Sequence, residues 1–100
     1  MPFNQFVPRN FKAAAVQMYA PVASGVYGIS NAREWIYIGE TDNIQSSLLN
    51  HLHEINTKLK KHEPTGCVFE ICDQAHRASR QDRLVVEYGP SCNRLAPQHS

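Results

Sequence analysis

An excess of charge of either sign is missing from this chain: 10 Lys and Arg stand against 9 Asp and Glu, for a net charge of +1. Proteins that grip nucleic acid by its phosphates need surplus cations, because each neutralised phosphate takes one. Strong non-specific DNA binding is therefore not expected, and only a local patch could supply phosphate contacts. Long apolar runs are missing too. Nothing approaches the roughly 18–20 residues of a membrane helix, and residues 1–7 are too short and too polar for a secretory leader. Cysteine is scarce and odd in number (Cys67, Cys72 and Cys92). That argues for a reduced, cytoplasmic setting with no membrane partner. Cys67 and Cys72 flank an apolar run and read as small core residues. A zinc site drawn from Cys72, His76 and either His51 or His53 lacks the CxxC or HxxxH spacing of such sites. No repeat or low-complexity segment is present.

What is there suits one domain: 100 residues, 42% hydrophobic, enough to bury a core without staples. Residues 11–19 (FKAAAVQMY) are rich in helix formers behind Asn10, a suitable N-cap, and predict a short helix that Pro21 stops. Residues 24–29 and 35–41 alternate as strands do, and the turn-like segment 30–34 joins them into a hairpin. The simplest register sets Tyr27 directly opposite Tyr37, where side chains lie ~4.5–5.5 Å apart on one face. Asp42 and Gln45 form a variant capping box, after which Ile44, Leu48, Leu52, Ile55 and Leu59 recur at helical steps. Lys58, Lys60 and Lys61 close that helix as the chain's basic cluster. They suit the helix dipole, and read either as a solvated end or as a nucleic-acid contact.

Residues 64–66 (PTG) break the chain. Residues 67–72 (CVFEIC) predict a third strand with Cys67, Phe69 and Ile71 on one side. A further helix runs from Asp73, a good cap, to Tyr88, and Gly89 and Pro90 end it. Ala78, Leu84, Val85 and Tyr88 make its apolar stripe. Gln81 lies on that stripe and faces the sheet. The chain thus divides into an N-terminal extension (1–23), a folded domain (24–93) and a frayed tail (94–100).

Residues 25–27 read GVY, residues 37–39 read YIG, and Thr41 and Asn43 follow at once. This stretch resembles the signature of the GIY-YIG nuclease superfamily. The second half agrees in spacing, with Gln81, then Leu84-Val85, then Pro90, Ser91, Cys92 and Asn93. The resemblance implies an α/β (α+β) fold, a three-stranded antiparallel sheet flanked by helices in the order β-β-α-β-α. It also implies a chemistry, single-metal phosphodiester hydrolysis. In that family paired tyrosines surround the attacking water, a glutamate holds one divalent cation, and an arginine on the first helix offsets charge on the phosphate. By this match Tyr27 and Tyr37 are kept, His51 keeps a polar position, and Asn93 keeps the closing asparagine.

Two positions depart from the pattern. Ser47 stands where the resemblance puts the arginine, and Gln81 where it puts the glutamate. A serine cannot clamp a phosphate as a guanidinium does, and a neutral amide is a poor anchor for a hard cation. Glu40, directly after the motif's last glycine, adds negative charge where a phosphate would sit. Arg80 and Asp82 flank Gln81, but adjacent helix residues point ~100° apart, so neither replaces it. The expectation is a GIY-YIG-like module with a vestigial site (Tyr27, Tyr37, Ser47, His51, Gln81, Asn93), no catalysis and no cofactor. Its groove would bind nucleic acid weakly, or a protein partner. Two alternatives stand beside it: a slow endonuclease using Mg²⁺ or Mn²⁺, and a protein–protein adaptor with no nucleic-acid role.

Overall fold

The computed structural model describes residues 9–53 and 63–92. Its elements in chain order are β1 (Arg9–Asn10), α1 (Ala13–Tyr19), β2 (Gly25–Ser30), β3 (Trp35–Thr41), α2 (Ile44–His53), β4 (Gly66–Ile71) and α3 (Arg77–Tyr88). The strands lie in the order β1-β4-β2-β3, each neighbour antiparallel to the next. The sheet of β2, β3 and β4, flanked by helices in the order β-β-α-β-α, is the α+β arrangement the sequence implies. β1 adds a two-residue fourth strand at one edge.

Both faces of the sheet are covered, which is why every residue of β2 is buried. On one face Tyr27, Ile29, Ile36 and Cys67 pack with Ile44 and Leu48 of α2 and with Phe11, Val16 and Ala20. On the other, Val26, Ile38 and Val68 pack with Leu84 of α3, bordered by Trp35, Val85 and Tyr88. Burying each of these large aliphatic side chains contributes roughly 1.5–3 kcal/mol. The described part of the stretch read as an extension therefore belongs to the core, through Phe11, Val16 and Ala20.

The hairpin register differs from the expected one. Tyr27 pairs with Gly39, and Tyr37 pairs with Ile29. The cause is an irregularity at the loop end, where Ile29 pairs with Tyr37 but Ser30 pairs with Trp35. Ile36 is the extra residue of a bulge. It joins the core on the α2 face, and Tyr37 packs against that same cluster, whereas Trp35 and Ile38 serve the α3 face. A bulge re-aims successive side chains in this way.

Local signals also shift at the helix starts. Asn10 is a strand residue, and α1 begins after Lys12 without a side-chain cap. For α2 the cap is Asn43, whose Oδ1 accepts from the Ser46 amide at 3.0 Å, and not Asp42. Gln45 turns away from any capping box and donates to the carbonyls of Ala20 and Gln17, tying α2 to α1. Asp73 caps the turn before α3, accepting from the His76 amide at 3.0 Å, so the helix proper starts at Arg77. Ala78, counted in the apolar stripe, is exposed. Ile55, Leu59, Lys58, Lys60, Lys61 and Asn93 lie outside the described residues.

Candidate functional site

The signature's glycines have steric reasons in this fold. A Cβ on Gly39 would stand 2.6 Å from Tyr27 Oη and 2.8 Å from Tyr37 Cε2, so only glycine lets the two rings converge above it. A Cβ on Gly25 would collide with the Glu70 carbonyl of β4 and meet Ile44 Cδ1 at 2.7 Å. These positions let β2 lie close to its neighbours while the tyrosines share one face.

Three rings gather there. Tyr27 and Tyr37 lie with centroids 6.1 Å apart, and His51, carried by α2, stands 5.7 Å and 5.4 Å from them. Tyr27 Oη and His51 Nε2 share a hydrogen bond of 2.9 Å. Tyr27 is buried, and Tyr37 is half-buried at the rim. Burial pushes the Tyr37 phenol above its ordinary value; the hydrogen bond with Tyr27 opposes this, and the charge of Glu40 adds to it. The tyrosine pair is therefore a real cluster, reached diagonally across the strands and not by direct pairing. His53 is exposed.

Ser47 and Gln81 are each engaged by the protein. The Ser47 hydroxyl donates to Thr41 Oγ1 at 2.7 Å, and that oxygen also accepts the Asn43 amide at 3.0 Å. Serine thus helps fix the junction between β3 and α2. Gln81 faces inward as expected and donates from Nε2 to the Ile38 carbonyl at 3.0 Å. This bond lies on the outer edge of β3, where the Ser91 amide takes the Trp35 carbonyl and the Cys92 amide takes the Ile36 carbonyl.

The charged residues are partnered across the α3 face. Arg80 meets Glu70 with Nε and Nη2 at 2.8 and 2.9 Å, a two-pronged pair with little exposure. Arg77, which the sequence reading did not single out, reaches Glu40 with Nε at 2.6 Å and donates from Nη1 to Ser24 Oγ at 3.1 Å. Its signal was present, since it precedes Gln81 by one helical turn and so shares its side of α3. Glu40 is therefore neutralised by a cation that α3 carries on the same face.

This donor set does not suit a divalent cation. Gln81 presents an amide donor to the β3 edge, Glu40 is held by Arg77, and hard cations prefer several free anionic oxygens. Among the described residues no three His, Cys, Asp or Glu side chains come together as a metal site, the Cys72/His76 pairing included. Nor is any described helix long and apolar enough to cross a membrane.

The strands, helices and tyrosine cluster together match the GIY-YIG domain fold. Solved structures with this fold include the N-terminal endonuclease domain of UvrC from Thermotoga maritima bound to magnesium as its catalytic divalent cation. It aligns at a TM-score of 0.65 and 21% identity over 76% of this chain and 92% of that one. A tyrosine-to-phenylalanine and an asparagine-to-alanine mutant of the same domain, each with its cation, align equally well (TM-score 0.65, 21% identity, 76% and 91% coverage). No family model matches the sequence, and no curated protein matches it. At such identity the likeness carries the fold.

Proposed function

We propose that this chain is a nuclease-like module that has given up metal-dependent hydrolysis and uses its tyrosine-lined groove to bind. The observation that carries this reading is the Gln81 amide, committed as a donor to the Ile38 carbonyl. The UvrC domain is described with a catalytic divalent cation. The corresponding chemistry needs an anionic ligand and a cationic clamp, and here the two matched positions are an amide and a hydroxyl. Removing one preorganised stabiliser commonly costs ~10²–10³ in rate, and losing both leaves little. The groove keeps aromatic surface from Tyr37 and polar groups from His51 and Ser47. Weakly held nucleic acid is the favoured ligand, since bases stack on aromatic rings without needing a large positive field.

The second reading, slow hydrolysis, draws on the intact Tyr27–His51 hydrogen bond, a polar pair of the kind that handles a proton near a reacting water. The near-neutral charge is what supports a protein partner as a third.

Incubating the unaltered protein with labelled DNA and Mg²⁺ or Mn²⁺ separates the first two. No cleavage, with salt-sensitive binding, is the expected result. Metal-dependent cleavage that Tyr37→Phe abolishes would overturn the proposal.

A further inference from the structure

We propose that residues 5–8, which precede the described structure, dock as a strand along the outer edge of β4 in continuation of β1, and so close that edge to other chains. This edge lies at the opposite border of the sheet from β3, so nothing here depends on what the tyrosine groove binds.

β4 pairs with β2 along its whole length, from Gly66 to Ile71, yet among the described residues it pairs with β1 only at Gly66 and Cys67. Alternate residues of an antiparallel ladder turn their N–H and C=O groups to opposite sides. The Cys72 amide donates to the Ser24 carbonyl at 2.9 Å, one step beyond the paired residues of β2 and β4. Counting back by twos, Glu70, Val68 and Gly66 face β2. Cys67, Phe69 and Ile71 therefore face the outer edge. The Phe11 amide donates to the Thr65 carbonyl on that side at 3.0 Å, in the same phase. Arg9 stands opposite Cys67, so the backbone groups of Phe69 and Ile71 come next in line.

Continuing the register of β1 sets Pro8 opposite Val68, Val7 opposite Phe69, Phe6 opposite Glu70 and Gln5 opposite Ile71. Eight residues precede Arg9, and half of them, at ~3.4 Å each, reach the end of β4. The phase of the proline is the strongest support. Pro8 falls on a non-hydrogen-bonded pair, so the N–H it lacks would have pointed away from β4 and no ladder bond is lost. One residue earlier or later, the same ring would break the ladder. Facing outward, it denies a donor to any further strand, which is how natural sheet edges are blunted. Val7 falls on the face of Phe69, whose half-buried ring packs against the α2-side core. Ile71, 67% exposed at the end of β4, gains cover from Gln5 beside it and Val7 diagonally. No charged side chain occurs in residues 1–8, so none has to be desolvated.

Native-state hydrogen exchange and NOE spectra of the full chain test this. The Phe69 and Ile71 amides should be protected like those of Val68 and Glu70, and equally so when the protein is diluted about tenfold. Hα–Hα cross-peaks should join Pro8 to Val68 and Phe6 to Glu70, the close pairs of this register. Val7→Pro removes an amide aimed at the Phe69 carbonyl and should speed exchange at Phe69 and Ile71 at least about tenfold. Phe6→Pro should leave both unchanged, since that amide points outward.

Fast exchange at Phe69 and Ile71 in the native chain overturns the proposal. Protection that weakens on dilution overturns it too, by assigning the edge to a second copy. An equal response to the two prolines does the same, by assigning another register. Should either variant fail to fold, the native cross-peaks decide alone, and their absence overturns the docking.

Discussion

Gln81 spans the gap from α3 to the outer edge of β3 and donates its amide proton to the Ile38 carbonyl at 3.0 Å. The bond is half-buried, and it fastens the helix of one layer to a strand whose other neighbour is β2. Replacing Gln81 with Ala should lower stability by about 1–3 kcal/mol, the cost of leaving a sheltered carbonyl unmet. Gln81→Glu should cost at least as much at neutral pH, because a carboxylate has no proton to give. Urea denaturation of both variants checks this, and an unchanged midpoint for Gln81→Ala would show that the contact does not tie the layers together.

Gly39→Ala should be strongly disruptive for its size. The added methyl would press on Tyr27 Oη at 2.6 Å and Tyr27 Cζ at 2.7 Å, contacts no real Cβ sustains. Overpacking of this kind costs about 1–3 kcal/mol. The rings must separate, and the Tyr27–His51 bond should lengthen or break. Denaturation together with the ring-proton shifts of Tyr27 and His51 reports both effects. A stable variant with unmoved ring resonances would refute the steric account of the motif's last glycine.

Tyr37 gives the fold an alkaline limit. Its phenol is shifted upward from the ordinary 10.0, burial being the largest cause. A group raised in the folded state favours its protonated form there, so its contribution is fully present below pH 10. That contribution is lost as pH rises through the shifted value. Stability measured by urea at pH 8, 10 and 11 should fall over the upper interval, and Tyr37→Phe should flatten that fall. A Tyr37→Phe curve parallel to the native one would remove Tyr37 as the cause.

The Arg80–Glu70 pair should matter far more than the Asp73–His76 pair. Arg80 and Glu70 make two side-chain hydrogen bonds with little exposure, whereas the Asp73 and His76 side chains make one at 2.6 Å in open solvent. Arg80→Ala should cost about 2–4 kcal/mol, since it strands a covered carboxylate. His76→Ala should leave the denaturation midpoint unmoved, because exposed pairs contribute little. The reverse ranking would mean that coverage does not set the strength of these pairs.

How legible all this was depends on how local each signal is. The strands were readable because their alternation is short-range, and Gln81 was correctly placed inward because a helix repeats with a fixed period. The hairpin register was not, because Ile36 and Tyr37 are both apolar and either fits the core face; only the bulge decides that both do. The α2 cap fell on Asn43 because β3 runs through Thr41, leaving Asp42 no room to play that part. The Arg77–Glu40 contact joins a helix to a strand edge far away in sequence, and no spacing rule announces such a meeting. The identity of the site's residues was thus visible from the motif, while their engagements with one another had to be seen in three dimensions.

The carbonyls along the outer side of β3 have a consequence for how this molecule meets others. Ser91 occupies that of Trp35, Cys92 that of Ile36, and Gln81 that of Ile38. An extended peptide arriving at this flank finds those acceptors already taken, so it cannot extend the sheet there by backbone pairing. Recognition on this side has to proceed through side chains, and lateral self-association by strand addition is closed off along this border.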